Sequence, residues 1–212
     1  MKLKKIMKPR EPIVENGTYL AVCVGVVFVG EQYMDRTAFG GRSSYENQVV
    51  FVWDLPSELD KDGKPKQLSK DLNATSSPNG TLNSIMEAWN SRTYSREELE
   101  EADLNDQLGK VCQLTVAVSE SGYSNVKAVA ALPKGIQVPA TDTPHITFDV
   151  DEWDDTAFAA LPEWVQEKIK KSTQYQKDHT PTGEVDFEKP AQAGPQTAPA
   201  QAAAAPAGGC PI

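Results

Sequence analysis

In the stretch "YMDRTAFGGRSSY", residues 33–45, the rings of Tyr33, Phe39 and Tyr45 alternate with the guanidinium groups of Arg36 and Arg42 among Gly and Ser. Flat π faces interleaved with cations suit stacking on planar rings and pairing with anionic oxygens, the two interactions that hold an unpaired nucleic-acid strand. An ordinary surface loop is the alternative, but such side chains have little to do in a core. Further along, Phe51 and Trp53 alternate on an apolar run, Lys110 precedes another, and Tyr123 and Lys127 follow a Ser-Gly turn. Trp53 is carried as a candidate ring of the same surface, against the competing reading that Phe51 and Trp53 are core.

Other chemistries find little support. The only histidines, His145 and His179, lie in connecting or polar sequence, and no nucleophile stands beside a base. Cys23, Cys112 and Cys210 are scattered, without a Cys-x-x-Cys pair, so neither a disulfide framework nor a zinc site is expected. "FGGRSS" lacks the Lys-Ser/Thr ending of a phosphate loop. The acidic runs "SREELEEADLND" and "DVDEWDD" read as solvated faces, without calcium-loop spacing. No catalysis, cofactor or metal is expected.

The elements that must position these residues are mainly strands. The 212 residues are 39% hydrophobic, enough for a core, and the net charge is −9. Residues 1–150 carry 16 Lys and Arg against 20 Asp and Glu, a net of −4; residues 151–212 carry 5 against 10, a net of −5. A local basic groove is compatible with this balance, whereas a globally attractive field is not. The leader, residues 1–11, is basic but is not followed by the apolar core of a secretory signal, and no run reaches the roughly 20 residues of a membrane-spanning helix. A cytoplasmic location follows as the expectation.

"GTYLAVCVGVVFVGEQY" predicts a long first strand, with Gly25 at a bulge or bend. "NQVVFVWDLP" predicts a second strand that Pro56 ends. The charged "SELDKDGKPKQ" follows, then only weak strand content at residues 68–72. Thr81 is the expected N-cap of a helix burying Leu82, Ile85, Met86 and Trp89, and Ser95 with Glu98 has capping-box spacing. "LGKVCQLTVAVSESGYSNVKAVAALPKG" predicts a hairpin about Ser121-Gly122. The β, β, helix, β, β order over residues 12–135 suggests a small OB-like barrel, an open α+β sheet being the rival. Residues 136–175 are expected to wrap the barrel in extended form and end in a docked helix starting at Pro162, with Trp164, like Trp89 and Phe158, an apolar anchor. Residues 176–212, rich in Ala, Pro, Gln and Gly, are expected to be a flexible tail.

Several blocks, in order, carry a resemblance: Leu108-Gly109-Lys110, Tyr123-x-Asn125-Val126, "LPKG" at residues 132–135 and "LPEW" at residues 161–164, within the strand and helix pattern of residues 12–173. This pattern resembles a family of small phage and prophage proteins of replication and recombination modules, described as OB-like single-stranded DNA-binding proteins. The resemblance implies a non-catalytic, sequence-independent binder of single-stranded DNA in the bacterial host cell. Tyr33, Arg36, Phe39, Arg42, Tyr45, Trp53, Lys110, Tyr123 and Lys127 would line a cationic, ring-lined channel on the barrel. The tip "GGCPI" is similar to that of bacterial single-stranded DNA-binding proteins, in which a terminal Pro and hydrophobic residue engage replication or recombination proteins; Pro211 and Ile212 are the corresponding candidates, against the competing and favoured reading of an inert tail, since the acidic residues usual before such a tip are missing. The competing expectation, motivated by acidity, is a protein-interaction module for a phage or host nuclease, recombinase or defence protein.

Overall fold

The computed structural model describes residues 10–179, without the Phe39 side chain. The described chain is mainly β. β1 (Gly17–Met34) is a run of β-branched residues, β2 (Ser44–Leu59) returns antiparallel to it, and β3 (Pro65–Asn73) pairs antiparallel with β2. After α1 (Thr81–Asn90) and α2 (Arg96–Glu100) come β4 (Val111–Val118) and β5 (Ser124–Ala130). The sheet runs β3-β2-β1-β4-β5.

Gly25 follows one of two bulges in β1: the register against β2 slips between Cys23 and Gly25, and again between Phe28 and Gly30. Each bulge inserts a residue and so reverses which face the following side chains meet. Cys23 and Val26 therefore enter one apolar cluster, while Val24, Val27 and Val29 enter another on the opposite face. A side chain at Gly25 would also meet Val52, its Cβ lying 2.9 Å from the valine Cβ.

The first cluster is the main core. Phe51 and Trp53 stack at 5.7 Å, the Trp89 ring of α1 sits 6.1 and 6.0 Å from them, and Leu68, Leu114, Val126 and Val129 close round them. The Trp89 Nε1–H donates to the Val111 carbonyl at 3.0 Å, fastening α1 to β4. The second cluster joins Val24, Val50 and Val52 to a C-terminal layer through Phe148, Val165 and Ile169. Burial on both faces explains why β1 and β2 are near-continuous apolar runs rather than alternating ones.

Several expectations need correction. β2 runs through Pro56, which sits in a gap of the β2–β3 register between Leu55 and Leu59, where the missing N–H leaves no ladder bond unmade. The weak stretch at residues 68–72 belongs to a full strand, β3, made stable by its pairing with β2. Gly80, not Thr81, caps α1, without a side-chain bond. The expected extended wrap contains a strand, β6 (Ile146–Asp149), parallel to Gly25–Phe28 on the flank of β1 beyond the stretch that β4 covers. The single docked helix is three short ones, α3 (Asp155–Ala160), α4 (Glu163–Ile169, capped by Pro162) and α5 (Thr173–His179), the last running past residue 175. The capping box at Ser95 and Glu98 forms as its spacing predicts.

The two outer strands, β3 and β5, are not joined by a backbone ladder. They are bridged instead by one side chain: Lys70 Nζ donates to the Val126 carbonyl at 2.8 Å. No helix among the described residues is long and apolar enough to cross a membrane.

Candidate nucleic-acid interface

The tip of the β1–β2 hairpin presents two rings. Tyr33 and Tyr45 are direct cross-strand partners, their centroids are 5.3 Å apart, and they are 49% and 51% exposed. The pair is held by the ladder rather than by a mobile loop. The connection is itself ordered: Asp35 Oδ1 accepts from the Thr37 N–H at 2.9 Å, the Thr37 hydroxyl at 2.6 Å and the Ser43 hydroxyl at 3.2 Å. These bonds hold the Asp35 carboxyl below its usual range.

Arg36, in the connection between β1 and β2, is committed to an ion pair. Its Nη1 and Nη2 bind the two Glu46 oxygens in a fork, the second at 2.7 Å, and Glu46 also accepts from the Ser44 hydroxyl at 2.7 Å and from Asn73 Nδ2. The arginine fork, then Ser44, lower the Glu46 pKa to about 2, and the same carboxylate raises that of Arg36. Arg36 thus positions the hairpin with its charge largely answered. Arg42 is exposed and forms no ion pair among the described residues.

A second group gathers at the seam between β3 and β5. Lys70 stands opposite Phe51 in the register, on the apolar face of β3, and escapes by reaching to the Val126 carbonyl. Burial, then the nearby Lys127, push the Lys70 ammonium pKa down, against a smaller opposite effect from Asp71. Lys127 is exposed, and the β4–β5 register shifts as the chain passes it, with Val116 opposite Val126 and Thr115 opposite Ala128. Tyr123, 55% exposed, stands at the end of the β4–β5 turn with the Arg10 guanidinium 5.7 Å from its ring centre.

Two concavities border β3. One, of about 430 Å³, is lined by Arg36, Lys70, Asn73, Asn79 and Thr81, a set rich in donors. The other, of about 440 Å³, is lined by Arg10, Ser69, Asp71, Tyr123, Asn125 and Trp164. Asp71 borders both and is paired with Lys168.

Two of the residues expected at the site lie elsewhere. Trp53 is 0% exposed between Phe51 and Trp89, so it is core. Lys110 stands at the start of β4 and Tyr123 beyond its end; eight residues at ~3.3 Å each separate them by roughly 25 Å. Lys110 Nζ instead bonds Asn90 Oδ1 at 3.3 Å beside α1. The sheet is not closed into the expected barrel, since β3 and β5 share no ladder, and the space under it is filled by the Phe51, Trp53 and Trp89 cluster, so the expected inner channel is absent among the described residues. The Phe39 side chain, Pro211 and Ile212 lie outside the described residues.

Lys70, Arg10 and Trp164 were not foreseen as site residues. For Lys70 a signal existed: Leu68, Lys70 and Leu72 alternate, which places a lysine on the apolar face of a strand, a device found at sheet edges. Trp164 had none, because its exposure depends on where α4 docks.

Among the described residues no cluster of His, Cys, Asp and Glu is suited to hold a metal. Burial pushes the Cys23 thiol up to about 12 and that of Cys112 upward as well, so neither supplies a thiolate near neutral pH. Comparison with protein-family models, curated proteins and solved structures finds no match for this chain.

Proposed function

We propose that this chain is a non-catalytic, sequence-independent single-stranded DNA-binding protein of the OB type, acting in phage DNA replication or recombination. The observation that carries it is the Tyr33–Tyr45 pair, two half-exposed rings held by a ladder, on the strand pair flanked by β3, whose Lys70 is near enough to Lys127 of β5 to feel its charge, neither lysine forming an ion pair among the described residues. The strand order β3-β2-β1-β4-β5, the helix between the third and fourth strands and the Lys70 link between the outer strands all accord with a five-stranded barrel of that type, one left partly open.

On this reading bases stack on Tyr33 and Tyr45, and phosphates run past Arg42, Lys70 and Lys127. Every base offers a π face, so stacking discriminates little between sequences. The net charge of −9 gives no general attraction for a polyanion, so affinity rests on local phosphate contacts, and because these release counterions binding falls as salt rises. The test is an anisotropy titration of the full chain with labelled oligo-dT. Binding at low salt is expected, with a log–log salt slope of about −2 if three phosphates are neutralised at ~0.7 each. Y33A and Y45A should each weaken binding by roughly 1–3 kcal/mol while the melting temperature holds. Absence of binding at low salt overturns the proposal.

A further inference from the structure

α4 buries one side and exposes the other. Val165 and Ile169 are fully enclosed in the second apolar cluster, whereas Trp164, beside Val165, is 43% exposed. Of the four tryptophans it alone is exposed: Trp53 and Trp89 are core, and Trp153 is half-buried within the Phe148, Phe158 and Tyr175 cluster. An indole left in water is informative when it borders a concave site with other recognition groups. Trp164 does so, lining a groove of about 440 Å³ together with Tyr123, itself 55% exposed.

The groove's polar complement has a definite character. The Arg10 guanidinium lies against the Tyr123 ring and offers the groove a cation. Asn125 and Ser69 add neutral polar groups, and the one carboxylate on the wall, Asp71, is paired with Lys168. The Arg10 backbone is bound to the turn, its N–H donating to the Ser121 carbonyl at 3.1 Å. Two ring faces, one cation and small amide and hydroxyl groups match an unpaired nucleobase with its adjoining phosphate. The groove also shares Asp71 with the donor-rich concavity that holds Arg36 and Lys70, so a strand passing along β3 meets both in succession.

We propose that this groove is a base-binding subsite, in which Trp164 and Tyr123 supply the rings and Arg10 the phosphate contact. The proposal rests on the single-stranded DNA-binding reading. It makes the C-terminal layer part of the interface, where the helix was expected only to anchor the fold.

The experiment compares wild type, W164A and W164F, as full chains checked for equal melting temperature, on oligo-dT and on an oligomer of the same length carrying abasic positions. Loss of one stacked base is expected to raise the Kd of W164A for oligo-dT about tenfold, with W164F close to wild type. On the abasic oligomer the W164A difference should vanish, since there is no ring to stack. Oligo-dT should quench the wild-type tryptophan emission, and W164F should lose most of that quenching.

If wild type binds oligo-dT and W164A binds equally well, the subsite is overturned and the broader reading stands. A W164A penalty of equal size on the abasic oligomer overturns stacking in favour of a structural role. Failure of wild type to bind either oligomer removes both proposals.

Discussion

Lys70 of β3 donates its Nζ proton to the Val126 carbonyl of β5 at 2.8 Å, across an edge where the two strands share no ladder. A charged side chain thus does locally what a backbone ladder would do in a closed sheet, and at the same time marks an open edge against pairing with another chain. Lys127 of β5 is close enough to push the Lys70 pKa down, so two cations gather at the seam.

K70M keeps most of the stem and removes the donor. The carbonyl of the buried Val126 then loses this partner, and the variant should be less stable by about 1 kcal/mol in urea unfolding. The oligo-dT salt slope should fall by about 0.7 if Lys70 neutralises one phosphate. Unchanged slope with reduced stability would assign Lys70 to the seam alone.

Glu46 gives the hairpin tip a defined acid response. Its pKa is lowered to about 2 from an ordinary value of 4.5, so the folded chain holds this carboxylate ionised where the unfolded chain protonates it. The resulting stabilisation is fully present above about pH 4.5 and is lost as pH falls through about 2. In E46Q this contribution is absent, so the stability gap between wild type and E46Q should be widest above pH 4.5 and narrow steadily towards pH 2. Denaturant midpoints across that range check it, and a gap that stays constant with pH would contradict the ion pair.

Trp53 tests the division between core and surface. W53A removes a fully buried indole packed on Phe51 and Trp89 and should cost about 3–5 kcal/mol, a large part of the stability of an ordinary domain. W53F keeps a ring and removes an indole N–H that has no partner among the described residues. Folded W53F should bind oligo-dT within about twofold of wild type, a variant on the outer rings losing far more. Loss of binding without loss of stability would return Trp53 to the interface.

Gly122 couples the β4–β5 turn to the N-terminal segment. Its φ of 83° is left-handed, and a Cβ there would lie 1.8 Å from the Arg10 carbonyl oxygen. G122A should cost about 1–2 kcal/mol from the backbone alone and push Arg10 away from Tyr123. Thermal melting reads the first effect. Faster amide exchange at Val14, whose N–H donates to the Ser124 hydroxyl at 3.1 Å, reads the second.

Much of the local structure was legible because its causes are local. Ser95 and Glu98 are three residues apart and make their capping box within one turn. Gly25 announces a bulge, the β4–β5 hairpin follows from alternation about a Ser-Gly turn, and the apolar stripe of α1 follows from its 3.6-residue period. Those features, with the strand-rich order and the absence of a strongly basic composition, were determined by the residues alone.

What tertiary structure decided is which of several equivalent side chains meets solvent. Tyr45, Val49, Phe51 and Trp53 alternate along β2 and share one face, yet Tyr45 is half-exposed and Trp53 is sealed, because the Trp89 end of α1 covers one part of that face and the hairpin tip extends past it. A period of two assigns a face; it carries no information on what packs against it. The same holds for β6, stabilised by a β1 segment more than a hundred residues earlier, for Lys70, whose acceptor is on β5, and for Trp164, whose exposure and groove exist only once α4 docks beside the β4–β5 turn. These are contacts between segments distant in the chain, and the free energy that selects them comes from joint burial rather than from any local sequence preference.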